Sequence, residues 1–132
     1  MSQTQASRPL IPDPFRPMLL FKKKFLAAIR AGEKTQTVRL WKHRMMRAGQ
    51  RSYIPGAGYI SISAVDEVTL TELTDADARL DGFDSAAALL SEIEQLYAAQ
   101  LAAGHRAYRI TFAVLSPEEQ VAARAAKRAV RG

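Results

Sequence analysis

The sequence predicts an α+β domain organised on an antiparallel sheet, and three observations predict it. From Tyr59 to Val68 the residues alternate, with Ile60, Ile62 and Ala64 on one face and Tyr59, Ser61 and Ser63 on the other. That period of two marks a long, half-buried strand. Residues 86–102 instead repeat Leu89, Leu90, Ile93, Leu96, Tyr97 and Leu101 at the helical period. A length of 132 residues allows one core with little to spare.

The elements follow in order. Residues 1–17 hold Pro9, Pro12, Pro14 and Pro17 without any apolar period, which predicts a flexible arm. Met18–Phe21 is a short apolar run, read as a buried strand. Lys22 to Ala31 reads as a helix with Phe21, Phe25 and Ile29 on one stripe and Gly32 at its C-terminal turn. Thr35 to Trp41 is a strand, with Val38 and Leu40 on its core face. Gly49-Gln50 leads into the strand Arg51–Ile54, and Pro55–Gly58 turns into the long strand. Thr74 caps a short helix with Asp77 at its third position, and Gly82 ends it. Asp84-Ser85 caps the next helix, and Tyr108–Leu115 is the last strand. Ser116-Pro117-Glu118-Glu119 is a capping box that starts a basic C-terminal helix or tail over 116–132, expected to be largely solvated.

Zero cysteines exclude disulfides, cysteine-ligated zinc and thiol catalysis. No apolar run is long enough for a membrane span, and the proline-rich start does not resemble a signal peptide, so a soluble, cytoplasmic protein is expected. His43 and His105 stand far apart and predict no metal site; no cofactor is expected. The net charge is +6, but residues 1–60 carry 12 Lys/Arg against 2 Asp/Glu, whereas residues 61–115 carry 3 against 9. Such polarity steers polyanions to the basic side.

The stretch Gly32-Glu33-Lys34-Thr35-Gln36-Thr37-Val38-Arg39 concentrates the chemistry. Thr35, Thr37, Arg39 and Trp41 share one strand face, beginning beside Lys34. Such a face suits an anionic or nucleotide-like ligand, although a solvated strand can look the same. Lys34 and Arg39 can clamp a phosphate or carbonyl with Thr37 donating a hydrogen bond. Alternatively Thr37 acts as a nucleophile, which needs a base; Lys34 serves only if its pKa, ordinarily about 10.4, falls by several units. Trp41 either stacks a base or plugs a barrel end, and Tyr53 either stacks or is an ordinary strand residue. Lys22, Lys23, Lys42, Arg44 and Arg51 are candidate phosphate contacts.

Over residues 18–115 the chain resembles the ASCH domain family of the PUA-like superfamily. The likeness rests on Phe21…Ile29, on Gly32–Arg39 as a G-x-K-x-x-x-x-R signature, on Gly49, and on Leu73–Phe83 downstream. It implies a small PUA-like β-barrel with helices packed around a cleft, and a ligand that is RNA or a modified nucleoside. The chain is also similar to the small bacterial N(4)-acetylcytidine amidohydrolases. That likeness implies Lys34 and Thr37 as catalytic residues, with Asp81 standing where those enzymes have a glutamate. A ribonuclease acting on single-stranded RNA is a further alternative within the family. Lys34→Ala and Thr37→Ala are expected to abolish turnover with the fold intact. An adaptor using the acidic 66–94 region is a third class.

Overall fold

The computed structural model describes residues 19–131, with side chains described as far as 129. The predicted arm 1–17, Met18 and the side chain of Arg131 lie outside the described residues. Four strands form one antiparallel sheet: β1 (Gln36–Trp41), β2 (Arg51–Ile54), β3 (Gly58–Val68) and β4 (Arg106–Val114), in the order β1-β4-β3-β2. β1 lies along β4 from Gln36 opposite Thr111 to Trp41 opposite Arg106. The helices are α1 (Leu26–Arg30), α2 (Asp75–Leu80), α3 (Ala86–Leu96), α4 (Ala98–Ala102) and α5 (Pro117–Arg131). A 3₁₀ turn, Lys23–Phe25, leads into α1, so the predicted first helix is shorter and tighter than its periodicity suggested. Leu19 N–H donates to Tyr53 C=O at 3.2 Å, which lays the start of the described chain beside β2.

The predicted alternation of β3 is interrupted. Ile62 faces Phe112 on β4, but Ala64 faces Thr111, so one residue is extra. A bulge of this kind reverses the side-chain parity beyond it and bends the strand. Val65 therefore follows Ile60 and Ile62 into the core, and Ala64 does not.

Both faces of the sheet are covered. On one face Ile54, Ile60, Ile62, Val65, Tyr108, Ile110 and Phe112 pack with Leu19, Ile29 and Met46. On the other, Val38, Leu40 and Ala107 meet Leu73, Ala78, Leu89 and Ile93 from the helical side. The strand face carrying Thr37, Arg39 and Trp41 thus lies on the side of the first core, with Arg39 and Trp41 half-buried at its margin and the Trp41 ring 5.3 Å from that of Tyr108.

Two helical expectations change. The segment 86–102 breaks at Tyr97 (φ −121°, ψ 26°), where α3 gives way to α4. The C-terminal helix is docked rather than solvated in its first half. Gln120 accepts from Tyr59 N–H and donates to Tyr59 and Leu115 C=O, and Ala123 is fully buried.

Candidate functional site

Two glycine-bearing turns bring the candidate residues together. After α1, Gly32 takes φ +79°, and Glu33 and Lys34 N–H both donate to Ala28 C=O. This left-handed closure turns the chain sharply into β1. Thr35 N–H donates to Leu80 C=O at 3.0 Å, and Thr35 C=O accepts from Phe112 N–H at 2.9 Å. The junction is thereby tied to the end of α2 and to β4. At the end of α2, Gly82 takes φ +91°, and a Cβ there would stand 3.2 Å from Phe25. Only glycine lets the chain pass so close, and the residue before it, Asp81, is delivered to Lys34.

Lys34 Nζ donates to Asp81 Oδ1 at 2.7 Å, to Gln36 C=O at 3.1 Å and to the Asp81 backbone carbonyl. An ammonium has three N–H donors, and three acceptors surround it. The Phe25 and Phe21 rings lie 4.8 and 5.4 Å from Nζ. Lys34 is 2% exposed and Asp81 3%. Asp81 Oδ2 is buried and has no hydrogen-bond partner.

Burial acts against both charges. It is the largest influence on Lys34 and lowers its pKa; Asp81 opposes this, while Arg39 adds to it. It is likewise the largest influence on Asp81 and raises its pKa, opposed by Lys34 and more weakly by Gln36 and Arg39. The mutual contact favours the ionised pair, and desolvation, the larger influence on each group, favours the neutral forms.

Arg39 organises the rest. Its Nε donates to Thr37 Oγ1 at 3.0 Å and its Nη2 to Leu20 C=O at 2.8 Å, with the guanidinium 4.8 Å from the Phe21 ring. Burial lowers the Arg39 pKa, opposed by the neighbouring Tyr97 and Asp81; an arginine nonetheless stays protonated in a protein. Because Thr37 Oγ1 accepts from Arg39, its own proton is free to be donated. None of the three Lys34 bonds goes to Thr37.

Lys34, Thr37, Arg39 and Asp81 line one cavity of about 110 Å³, walled by Phe21, Phe25, Phe83 and Tyr97. Lys22 also lines it and pairs with Glu92 at 2.7 Å. Exposed Leu20 and Leu96 also line it, with buried Val38, Leu89 and Ile93. The cavity is aromatic and charge-paired, with the carboxylates of Asp81 and Glu92 among its cations.

The other candidates are dispersed. Lys23 is exposed and Thr35 half-buried, and neither lines the cavity. Trp41 and Lys42 line an adjoining depression that shares Arg39. Arg44 turns back, donating to Val65 C=O, with its guanidinium 5.4 Å from the Tyr108 ring. Tyr53 packs against Tyr59 at 4.9 Å and lines a groove with Arg30 and Arg124. Arg51 is exposed on β2. His105 is half-buried, with Nδ1 enclosed and unpartnered. Among the described residues no three His, Asp or Glu side chains gather as a metal cage, and no helix is long and apolar enough to cross a membrane.

Sequence reasoning missed Phe83, Tyr97 and Glu92. Tyr97 was assigned to an apolar helical stripe, and nothing local shows that Glu92, one position before Ile93, reaches Lys22 seventy residues away. Lys34→Ala leaves Asp81 buried without its cation, so the stability of that variant has to be measured beside its turnover.

No family model matches the sequence, and no curated protein matches it significantly. Solved structures share its architecture. An ASCH domain from Lactobacillus crispatus JV V101 superposes with a TM-score of 0.58 at 16% identity, covering 67% of this chain and 69% of that one. The chain has the ASCH-domain fold. Hypothetical protein PH0355 aligns with a TM-score of 0.62 at 14% identity, over 73% of this chain and 95% of its own. Protein EF3133 from Enterococcus faecalis V583, of the DUF984 family, gives 0.55 at 14% identity over 70% of each chain. The expected α+β architecture is therefore present, with Lys34 just before β1 and Thr37 near its start on the four-stranded antiparallel sheet.

Proposed function

We propose that the Lys34–Asp81 cavity binds the base of a modified nucleoside, free or within RNA, through an amide on that base. The observation that carries this reading is that Asp81, whose buried Oδ2 has no hydrogen-bond partner, lines the same aromatic-walled cavity as Thr37. A buried acceptor without a partner costs about 1–3 kcal/mol, which a ligand donor recovers. An acylated exocyclic amine offers the complement: its N–H faces Asp81 Oδ2 and its carbonyl faces the Thr37 O–H. The rings of Phe21, Phe25, Phe83 and Tyr97 suit a planar heterocycle. The ASCH resemblance supports the same ligand class.

A second reading, hydrolysis of that amide, is favoured by the electrostatics of the pair. Burial raises the Asp81 pKa, which makes its carboxylate a better proton acceptor. Asp81 takes a proton from water, the water oxygen adds to the acyl carbon, and the proton passes to the departing amine, giving cytidine and a carboxylic acid. The Thr37 O–H donates to the oxyanion, and the Lys34 ammonium adds only its nearby positive charge. With all its donors engaged elsewhere, Lys34 is poorly placed as the base for Thr37.

The test incubates wild type and Thr37→Val with N(4)-acetylcytidine and with short single-stranded RNA, separates the products by chromatography and measures binding by calorimetry. Binding of N(4)-acetylcytidine, weakened in Thr37→Val, supports recognition. Cytidine release that falls about 10²-fold in Thr37→Val supports hydrolysis. RNA cleavage points to the nuclease alternative. Absence of both nucleoside binding and turnover overturns the proposal.

A further inference from the structure

The depression beside the cavity is unexplained by nucleoside binding alone. It measures about 290 Å³ and is lined by Arg39, Trp41, Lys42, Met45, Gln100 and His105, among others. Arg39 lines both hollows. Its Nε and one Nη2 hydrogen are used within the protein, and Tyr97 also hydrogen-bonds the guanidinium; with five N–H groups, not all its donors are taken.

Three features of the depression suit a nucleotide. Trp41 is half-buried and backed at 5.3 Å by Tyr108, which holds the indole rigid as a stacking platform. Lys42 is exposed at its edge, with no ion pair among the described residues. His105 lines it as well, with its Nδ1 enclosed and unpartnered. The hollow also lies in the strongly basic half of the chain. By contrast, the Lys34 cavity neutralises its own lysines: Lys34 by Asp81 and Lys22 by Glu92. Charge available for phosphate therefore sits at Arg39 and Lys42.

We infer that this depression is a second nucleotide subsite, so that the ligand is an oligonucleotide of at least two residues rather than a free nucleoside. The modified base occupies the Lys34 cavity, the phosphodiester lies against Arg39 and Lys42, and the neighbouring base stacks on Trp41. This inference rests on the function proposed above and names its substrate class.

Trp41 is the single tryptophan and reports directly on the subsite. Wild type and Lys42→Ala are titrated with N(4)-acetylcytidine and with dinucleoside monophosphates joining N(4)-acetylcytidine to uridine in either order, and tryptophan emission is followed. The expected result is that one dinucleotide binds about 10-fold or more tightly than the nucleoside and quenches Trp41 strongly. The ratio of the two affinities falls several-fold in Lys42→Ala. The same comparison in Trp41→Phe, read by calorimetry, lowers the ratio without removing an aromatic ring from the core. Equal affinity of nucleoside and both dinucleotides in wild type overturns the second subsite and leaves the cavity reading standing. Failure of every ligand to bind overturns the cavity reading itself.

Discussion

Replacing Lys34 with Met removes the cation from a pair whose partners are 2% and 3% exposed, while keeping a side chain of similar length. Asp81 keeps its burial and loses the 2.7 Å contact with Nζ; Oδ2 already has no partner. Breaking a buried ion pair by removing one member costs about 3–5 kcal/mol, a large part of a typical domain's 5–15 kcal/mol. At a urea dependence of about 2 kcal/mol per molar, the unfolding midpoint falls by roughly 1.5–2.5 M. The loss has a pH signature. Without Lys34, the interaction that holds the Asp81 pKa down is gone and burial, which raises it, remains. The folded state then keeps a proton that the unfolded state releases near its ordinary pKa of about 3.9. By linkage, stability of the variant falls as pH rises from there through the raised folded value, and it recovers in acid. Urea unfolding followed by circular dichroism across that range reads both effects. The double variant Lys34→Met/Asp81→Leu is expected to return to within about 1–2 kcal/mol of wild type, since an apolar pair replaces the ionic one. A single-variant loss under about 1 kcal/mol, or one that does not shrink on acidification, refutes the reasoning.

Three further outcomes are expected. Gly82→Ala loses about 1–3 kcal/mol, because φ +91° is strained for alanine and the new Cβ meets Phe25 at 3.2 Å; thermal unfolding checks it. Gln120→Ala removes three hydrogen bonds holding α5 to the sheet, for about 1–3 kcal/mol, and raises amide exchange selectively in α5. Asp77→Asn weakens the capping box with Thr74 by about 1 kcal/mol at neutral pH. The Asp77 carboxyl is held below its usual pKa, first by the Thr74 N–H. Its contribution is therefore present above the unfolded value and lost as pH falls through the lower folded value, so the difference from wild type should vanish in strong acid.

Local chemistry was legible in the sequence wherever the cause is local. Thr74 with Asp77, and Ser116 with Glu119, close hydrogen bonds three residues apart, so their caps could be read directly. Gly32 and Gly82 adopt the left-handed backbone that their places after helices predicted. The alternation of β1 put Thr37, Arg39 and Trp41 on one face, because a strand has no other way to orient them. The tertiary structure decided what that face looks at. A single extra residue in β3 moved Val65 into the core, and helices over Val38 and Leu40 covered the opposite face. Which acid meets Lys34 depends on bringing residue 81 across a separation of 47 positions, and no periodicity encodes that. The same holds for the cations. A charge count sums Lys22, Lys34, Arg39, Lys42, Arg44 and Arg51 into one basic half, whereas packing pairs the first two with carboxylates, folds Arg44 back onto a carbonyl and leaves Arg39 and Lys42 at the junction of two hollows. Composition fixes how much charge a chain carries; long-range contacts, whose strength depends on burial, decide which of it remains for a ligand.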